Sequence, residues 1–253
     1  MEIDYLETKM RELEYFHDLK VLPEVWTILR MDGRSFSTYT KYNDFEKPFD
    51  ERFRDMMLKT TEFLLTELYG LYAYTESDEI SILLPKNFNM FSREVEKLAS
   101  ISAGLASSRF SLESQSLRHF DSRVIVAVTQ EQVLDYFKWR QLDAARCALN
   151  GWCYWTLRKE GKSANKATSI MNRMPRSEKN ELLFERNINF NEVPAWQRRG
   201  IALYWEEYEK EGYNPIKDEK VMATRRRVIV NKELSMKDEY MEFLKGLNIW
   251  ECE

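Results

Sequence analysis

The 253-residue chain carries 38 Lys and Arg against 42 Asp and Glu, a formal charge of -4, with 3 Cys and 2 His. That balance gives no whole-chain basic signal toward a polyanion. Cys147, Cys153 and Cys252 make no disulfide framework, and two histidines beside them make no thiolate–imidazole zinc site. The first twenty residues mix charges every few positions, so no signal-peptide core is read there, and no apolar run approaches the roughly 20 residues of a membrane span. The expectation is a soluble protein of a reducing, cytoplasmic compartment, built as one large domain or two small ones.

In chain order, residues 3–18 place Tyr5, Leu6, Met10, Leu13 and Phe16 at helical spacing and predict an amphipathic helix. Residues 25–31 are a short run of strand formers stopped by Asp32-Gly33. A polar stretch leads to Pro48. Residues 50–69 then set Phe53, Met57, Thr61, Leu64, Leu65 and Leu68 on one face, a second helix with Gly70 just past its end. Residues 71–74 and 80–84 flank the acidic Thr75-Glu-Ser-Asp-Glu79 as a hairpin; helix returns over about 92–109, and residues 123–128 form another buried strand.

Strand, helix, strand, strand, helix, strand is the ferredoxin-like split motif. The expected fold class is therefore α+β, a palm-like βαββαβ half over residues 1–135. Residues 136–253 form a helical half with additional strands, packed on the palm as one compact body. Within it, residues 130–159 predict one long helix or two abutting ones with Trp139, Trp152 and Trp155. Shorter helices follow through Asn172 and from Glu178 to Phe184. Residues 201–208 and 226–230 return to strand patterns, separated by a polar loop containing Pro215.

The chemistry concentrates at strand ends. In a ferredoxin-like sheet of order 4-1-3-2 the first and third strands are antiparallel neighbours, so Asp32 faces Asp78 or Glu79 across one ladder step, roughly 5 Å between Cα atoms. Carboxylates that close repel, and a divalent cation relieves the repulsion. Oxygen-only ligands favour Mg²⁺, and two such ions clamp a triphosphate and activate an attacking oxygen. The following turn, Gly33-Arg34-Ser35-Phe36-Ser37, offers backbone N–H groups and hydroxyls to a phosphate chain. Asp50 reads equally as a helix N-cap or a ligand, and Lys47 equally as a surface lysine or a functional one.

Arg30-Met-Asp-Gly-Arg-Ser-Phe36, Phe45-Glu-Lys-Pro-Phe-Asp50 and Glu76-Ser-Asp-Glu-Ile-Ser81 together resemble the catalytic half of the tRNA-His guanylyltransferase family. The resemblance continues through Phe120-Asp-Ser-Arg123, Trp139-Arg-Gln-Leu-Asp143, Lys179-Asn-Glu-Leu-Leu-Phe184 and Asn187-Ile-Asn-Phe-Asn191, covering about residues 26–208. It implies a polymerase-type palm that adds nucleotides in the 3′-to-5′ direction at the 5′ end of RNA. It also implies that Asp32, the Gly33 carbonyl and Asp78 hold two Mg²⁺, with Glu79 supporting catalysis. Gly33, Arg34, Ser35, Phe36, Ser37, Asp50 and Ser77 would surround the nucleotide, and Lys47 would assist ATP- or GTP-dependent activation of a 5′ phosphate. A homotetramer is implied as well. Where the family's eukaryotic members carry a His-Ile-Asn-Asn block, this chain reads Ala144-Ala-Arg-Cys-Ala-Leu-Asn-Gly151. That departure, with Glu76 and Ser122 where Gln and Gly are usual, resembles the guanylyltransferase-like branch that repairs 5′-truncated tRNA under template control.

Between Trp155 and Asn180 there are seven basic residues against two acids. Arg158, Lys162, Lys166, Arg173 and Lys179, with Arg198, Arg199, Arg225 and Arg226, are the candidate tRNA track, because phosphate neutralisation is a local matter. Two other readings use the same residues. A palm-type nucleotide cyclase needs the acids and Mg²⁺ but no RNA, and a non-catalytic RRM-like module needs stacking aromatics on its central strands.

Overall fold

The computed structural model describes residues 2–214 and 219–250; Pro215 and Cys252 lie outside them. The order is α1 (Glu2–Arg11), β1 (Trp26–Arg34), α2 (Phe36–Tyr42), α3 (Glu51–Glu67), β2 (Tyr72–Glu76), β3 (Glu79–Leu84), α4 (Val95–Ser114) and β4 (His119–Ala127). It continues with α5 (Gln130–Lys159), α6 (Ala164–Met171), α7 (Arg176–Phe184), α8 (Ala195–Arg199), β5 (Ile201–Asn214), β6 (Glu219–Asn231) and α9 (Asp238–Lys245). The strands form one antiparallel sheet in the order β4-β1-β3-β2-β5-β6. Its first four strands have the expected 4-1-3-2 arrangement, and the mixed α/β class with a helical second half is as the sequence indicates.

β1 and β3 are rich in apolar residues on both faces because helices cover both faces of the sheet. Leu29, Met31, Ile80, Ile82 and Leu84 join Met57, Leu64, Leu98 and Phe110 from α3 and α4 on one side. Trp26, Ile28, Tyr72 and Leu83 pack on the other against Val133 and Phe137 of α5 and Tyr240 and Leu244 of α9. A Thr129/Gln132 capping box starts α5. The helix runs 30 residues, and its second half leaves the sheet to build a third core with α6 and α7 around Leu149, Cys153, Leu157, Ala167 and Leu183.

The structure corrects four expectations. The first helix stops at Arg11 instead of Asp18; Leu13 and Phe16 are 73% and 75% exposed, so no partner in this fold holds their stripe in register. The polar stretch after β1 contains α2, stabilised by burial of Phe36 and Tyr39 one turn apart. The fourth strand starts at His119 and the preceding helix at Val95, after positive-φ residues at Phe91, Ser92 and Arg93. Finally, residues expected in a polar loop extend β5 to Asn214 and begin β6 at Glu219. Cross-strand pairs hold that ribbon: Arg227 with Glu206 at 2.7 Å, Thr224 with Glu209 at 2.8 Å, and Lys220 with Glu211. Such pairing carries no apolar periodicity.

A buried hydroxyl pair, Tyr72–Tyr240 at 2.9 Å, ties α9 to β2. Tyr240→Phe orphans the Tyr72 hydroxyl and should cost about 1–3 kcal/mol. The Tyr72→Phe/Tyr240→Phe double variant should lie closer to wild type than the two single losses summed, read by urea denaturation. Strict additivity would remove the coupling.

Candidate active site

The register pairs Asp32 of β1 with Glu79 of β3, while Glu76 and Glu79 close the β2–β3 turn. Ser77, at φ 47, and Asp78 form the tip of that turn. The Gly33 N–H donates to the Asp78 carbonyl at 3.0 Å and stitches the tip to β1. Only glycine allows this approach: a Cβ at Gly33 would stand 2.5 Å from the Phe36 ring and 2.9 Å from the Asp78 Cβ. Burial, together with the charge of Asp32, pushes the Asp78 carboxyl up to about 6.

Glu79, buried, receives the Arg140 Nε at 2.6 Å and lies 3.9 Å from Arg30. Burial raises its carboxyl against the pull of both guanidinium groups. Glu76 accepts from Arg140 at 2.9 Å; burial, with Glu79's charge adding, pushes its carboxyl up to about 8. The residues that sequence places around a metal are thus divided. Asp32 and Asp78 repel one another, and Glu79 is neutralised by arginine.

Among the described residues no group of three or more His, Cys, Asp and Glu is disposed to hold a metal. Two carboxylates and the Gly33 carbonyl are nevertheless a donor set that suits Mg²⁺, which keeps several waters and takes further ligands from substrate phosphates instead of a full protein cage.

Beside the turn lies a cleft of about 620 Å³ whose walls include Ser37, Lys47, Asp50, Ser77, Asp78, Trp155 and Arg158. Asp32, Gly33, Arg34 and Ser35 are not among its walls. The Phe36 ring, 3% exposed, sits in an aromatic core with Phe110 and Phe120, leaving its backbone as the part a ligand can meet. Lys47 donates to the Thr40 hydroxyl, its ammonium 5.6 Å from the Trp155 ring centre; burial lowers its pKa against the opposing charge of Asp50. Asp50 caps α3, accepting from the Arg52 and Glu46 N–H groups at 2.8 and 2.7 Å and from the Arg52 guanidinium at 2.6 Å.

Of the basic candidates, Arg158 reaches the cleft, and exposed Lys162 and Lys166 follow around Ala164, which also lines it. Arg173 is exposed in the turn between α6 and α7, and Lys179 is half-buried on α7. Arg198 and Arg199 donate to the carbonyls of Val193 and Leu234 at 2.6 and 2.7 Å. Arg225 and Arg226 are exposed on the ribbon, Arg226 over the Trp205 ring. The structure therefore brings the 158–166 group, and not the whole set, to the cleft.

Arg140, buried and bound to Glu79 and Glu76, is not among the functional residues that the sequence singles out. Its signal was its place on the stripe Val133, Phe137, Arg140, Ala144, all buried in α5: a cation on a core-facing helix stripe requires buried anions.

The tRNAHis guanylyltransferase family model matches residues 7–130, and the Thg1 C terminal domain model residues 131–244. The chain belongs to the tRNAHis guanylyltransferase family. A probable tRNA(His) guanylyltransferase of Dictyostelium discoideum is 35% identical over 73% of this chain and 77% of its own length. A solved bacterial tRNA(His) guanylyltransferase (Thg1)-like protein in complex with GTP shares 26% identity at a TM-score of 0.73, over 98% of this chain and 100% of its own. The same description in complex with ATP gives 27% and 0.75, over 97% and 99%. As a member of the guanylyltransferase family the chain is a nucleotidyltransferase.

For this guanylyltransferase relative, Asp50→Ala should cost about 1–2 kcal/mol at pH 7 through loss of the cap. Burial opposes ionisation of Asp50, but Arg52 and two backbone N–H groups outweigh it and hold its carboxyl at about 2, below the ordinary 3.8. The contribution is thus complete above pH 3.8 and fades as pH falls toward 2. Denaturant titrations of both proteins should converge at low pH; an equal gap at pH 7 and at the acid end would exclude an ionised cap.

Proposed function

We propose that this chain adds nucleotides in the 3′-to-5′ direction to the 5′ end of tRNA, with 5′-truncated tRNA as substrate and the opposite strand as template. The observation that carries the reading is the Asp32–Asp78 pair at adjoining strand ends, with Asp78 opening onto a cleft that holds Lys47, Trp155 and Arg158. In the activation step an oxygen of the RNA 5′-monophosphate attacks the α-phosphorus of ATP or GTP, forming a phosphoanhydride and releasing pyrophosphate. The 3′-hydroxyl of an incoming nucleoside triphosphate then attacks the activated 5′ phosphate. A phosphodiester forms, AMP or GMP leaves, and the hydroxyl proton passes to solvent. A 5′-triphosphate RNA skips the first step and releases pyrophosphate in the second.

Positioning and charge dominate such in-line transfers. Asp32, Asp78 and the Gly33 carbonyl would hold Mg²⁺, which when bound offsets phosphate charge. Lys47, steered by Thr40 and Trp155, presents its ammonium to the triphosphate of the activating nucleotide. The Ser37 and Ser77 hydroxyls and the backbone of Phe36 and Ser37 complete the nucleotide contacts. Ala144, Cys147, Ala148 and Gly151 line the cleft with small side chains in place of the His-Ile-Asn-Asn block, which supports selection by template pairing. The RNA 5′ end enters past Arg158, Lys162 and Lys166.

A cytoplasmic homotetramer belongs to the same proposal. Ile3, Tyr5, Leu6, Met10, Leu13, Tyr15, Phe16, Leu19 and Leu22, 45–82% exposed, support association. An RRM-like module is disfavoured because all six residues of β3 are buried, leaving no open strand face for stacking bases.

The test supplies tRNA lacking its first 5′ nucleotide with ATP, Mg²⁺ and each nucleoside triphosphate in turn. The pairing nucleotide should be added, and Asp32→Ala and Asp78→Ala should each remove addition in folded protein. A cyclic nucleotide formed from ATP or GTP alone would replace this reading with a cyclase. Lys166→Glu should weaken tRNA binding and lower its log–log salt slope by about 1, with ATP binding unchanged; an unaltered slope would take Lys166 off the RNA path.

A further inference from the structure

The register places Asp121, Asp32, Glu79 and Glu76 as successive cross-strand partners in one row over β4, β1, β3 and β2. Directly opposed residues point to the same face of a sheet, and like charges so placed repel. α5 covers this face, and Arg140, 6% exposed, reaches the row from it. Its Nε donates to Glu79 at 2.6 Å; its Nη2 donates to Glu76 at 2.9 Å and to Asp143 at 3.3 Å. Trp139 lies against the guanidinium groups of both Arg140 and Arg30, at 4.5 and 5.7 Å from its ring centre.

The compensation is uneven. Glu79 and Glu76 are neutralised from within the protein, and exposed Asp121 has Arg123 at 3.9 Å. Among the described residues no basic side chain pairs with Asp32. The two arginine-held glutamates are also the two ends of the turn that carries Asp78. Fixing both ends from one planar group fixes the tip between them, in a way a single point charge does not reproduce.

We infer that Arg140 is a positioning residue of the active site: by gripping Glu76 and Glu79 together it sets the β2–β3 turn so that Asp78, and not Glu79, stands with Asp32 as the cation-binding pair. The inference rests on the Asp32–Asp78 metal assignment proposed above. Arg140 touches no reacting atom in this scheme and acts through the turn.

The decisive variant is Arg140→Lys, which keeps the charge and removes the fork. Mn²⁺ binding followed by electron paramagnetic resonance should show saturable binding to the wild-type protein and affinity at least tenfold weaker in the variant. In nucleotide addition, kcat should fall at least tenfold with both 5′-monophosphate and 5′-triphosphate RNA, while KM for the nucleotide and the RNA stays within about threefold. Arg140→Lys with wild-type Mn²⁺ affinity and kcat would overturn the inference alone. Wild-type protein without saturable Mn²⁺ binding would overturn the metal assignment and the inference with it. Should Arg140→Lys fail to fold, Glu76→Ala removes the acceptor of one arm of the grip and should lower kcat and Mn²⁺ affinity at unchanged KM. Unaltered values there would equally overturn it.

Discussion

Antiparallel pairing of β1 with β3 is the constraint on which the rest of the molecule depends. It sets Asp32 opposite Glu79 and, through the Gly33–Asp78 backbone hydrogen bond, brings the acidic turn onto the end of β1. A sheet edge so rich in carboxylate is electrostatically unfavourable, and the surrounding elements answer that cost in two ways. Arg140 and Arg30 neutralise part of the charge from the α5 side. Asp32 and Asp78 are left without such an arginine, and Asp78 borders the cleft.

α5 links the two halves of the chain chemically as well as mechanically. Its first half supplies Val133 and Phe137 to the palm core and Tyr136 to Ser81, a hydroxyl contact of 2.8 Å. One turn further it supplies Arg140 to the acids. Further on it supplies Ala144, Cys147, Ala148, Gly151, Trp155 and Arg158 to the cleft wall. A 30-residue helix thereby relates the carboxylates, the cleft and the basic segment that follows it. Buried ion pairs of this kind contribute little to net stability after desolvation, so the Arg140 grip is better understood as specifying geometry than as holding the fold together.

The elements covered on both sides were legible in the sequence because their composition reports burial directly: β3, α3 and α5 fall where the apolar runs and stripes place them, while β1 and β2 start there and run past the expected stops to Arg34 and Glu76. The acid pair was legible because strand order in a split βαββαβ motif follows from topology alone. Arg140 was not, since its meaning depends on anions 61 and 64 positions away. Strand was legible at 201–208 and 226–230, but the outer part of the β5–β6 ribbon was not, because opposed Glu and Arg residues give the same linear pattern as a solvated loop. Asp50 marks an intermediate case: either role was open from sequence, and the structure shows a saturated cap that also borders the cleft.

The same ribbon changes how the basic clusters count. Arg227 is bound to Glu206, Arg226 lies over Trp205, and Arg198 and Arg199 hold the carbonyls of neighbouring loops. A guanidinium already paired must surrender that partner to take a phosphate, whereas Lys162 and Lys166 are exposed on either side of Ala164 at the cleft and form no ion pair among the described residues. Counterion release rewards charges that meet the phosphate backbone, not charges summed over the chain. A net charge of -4 is consequently compatible with the proposed RNA substrate, because the acids at the sheet end face one another and arginine, while exposed lysines lie beside the cleft.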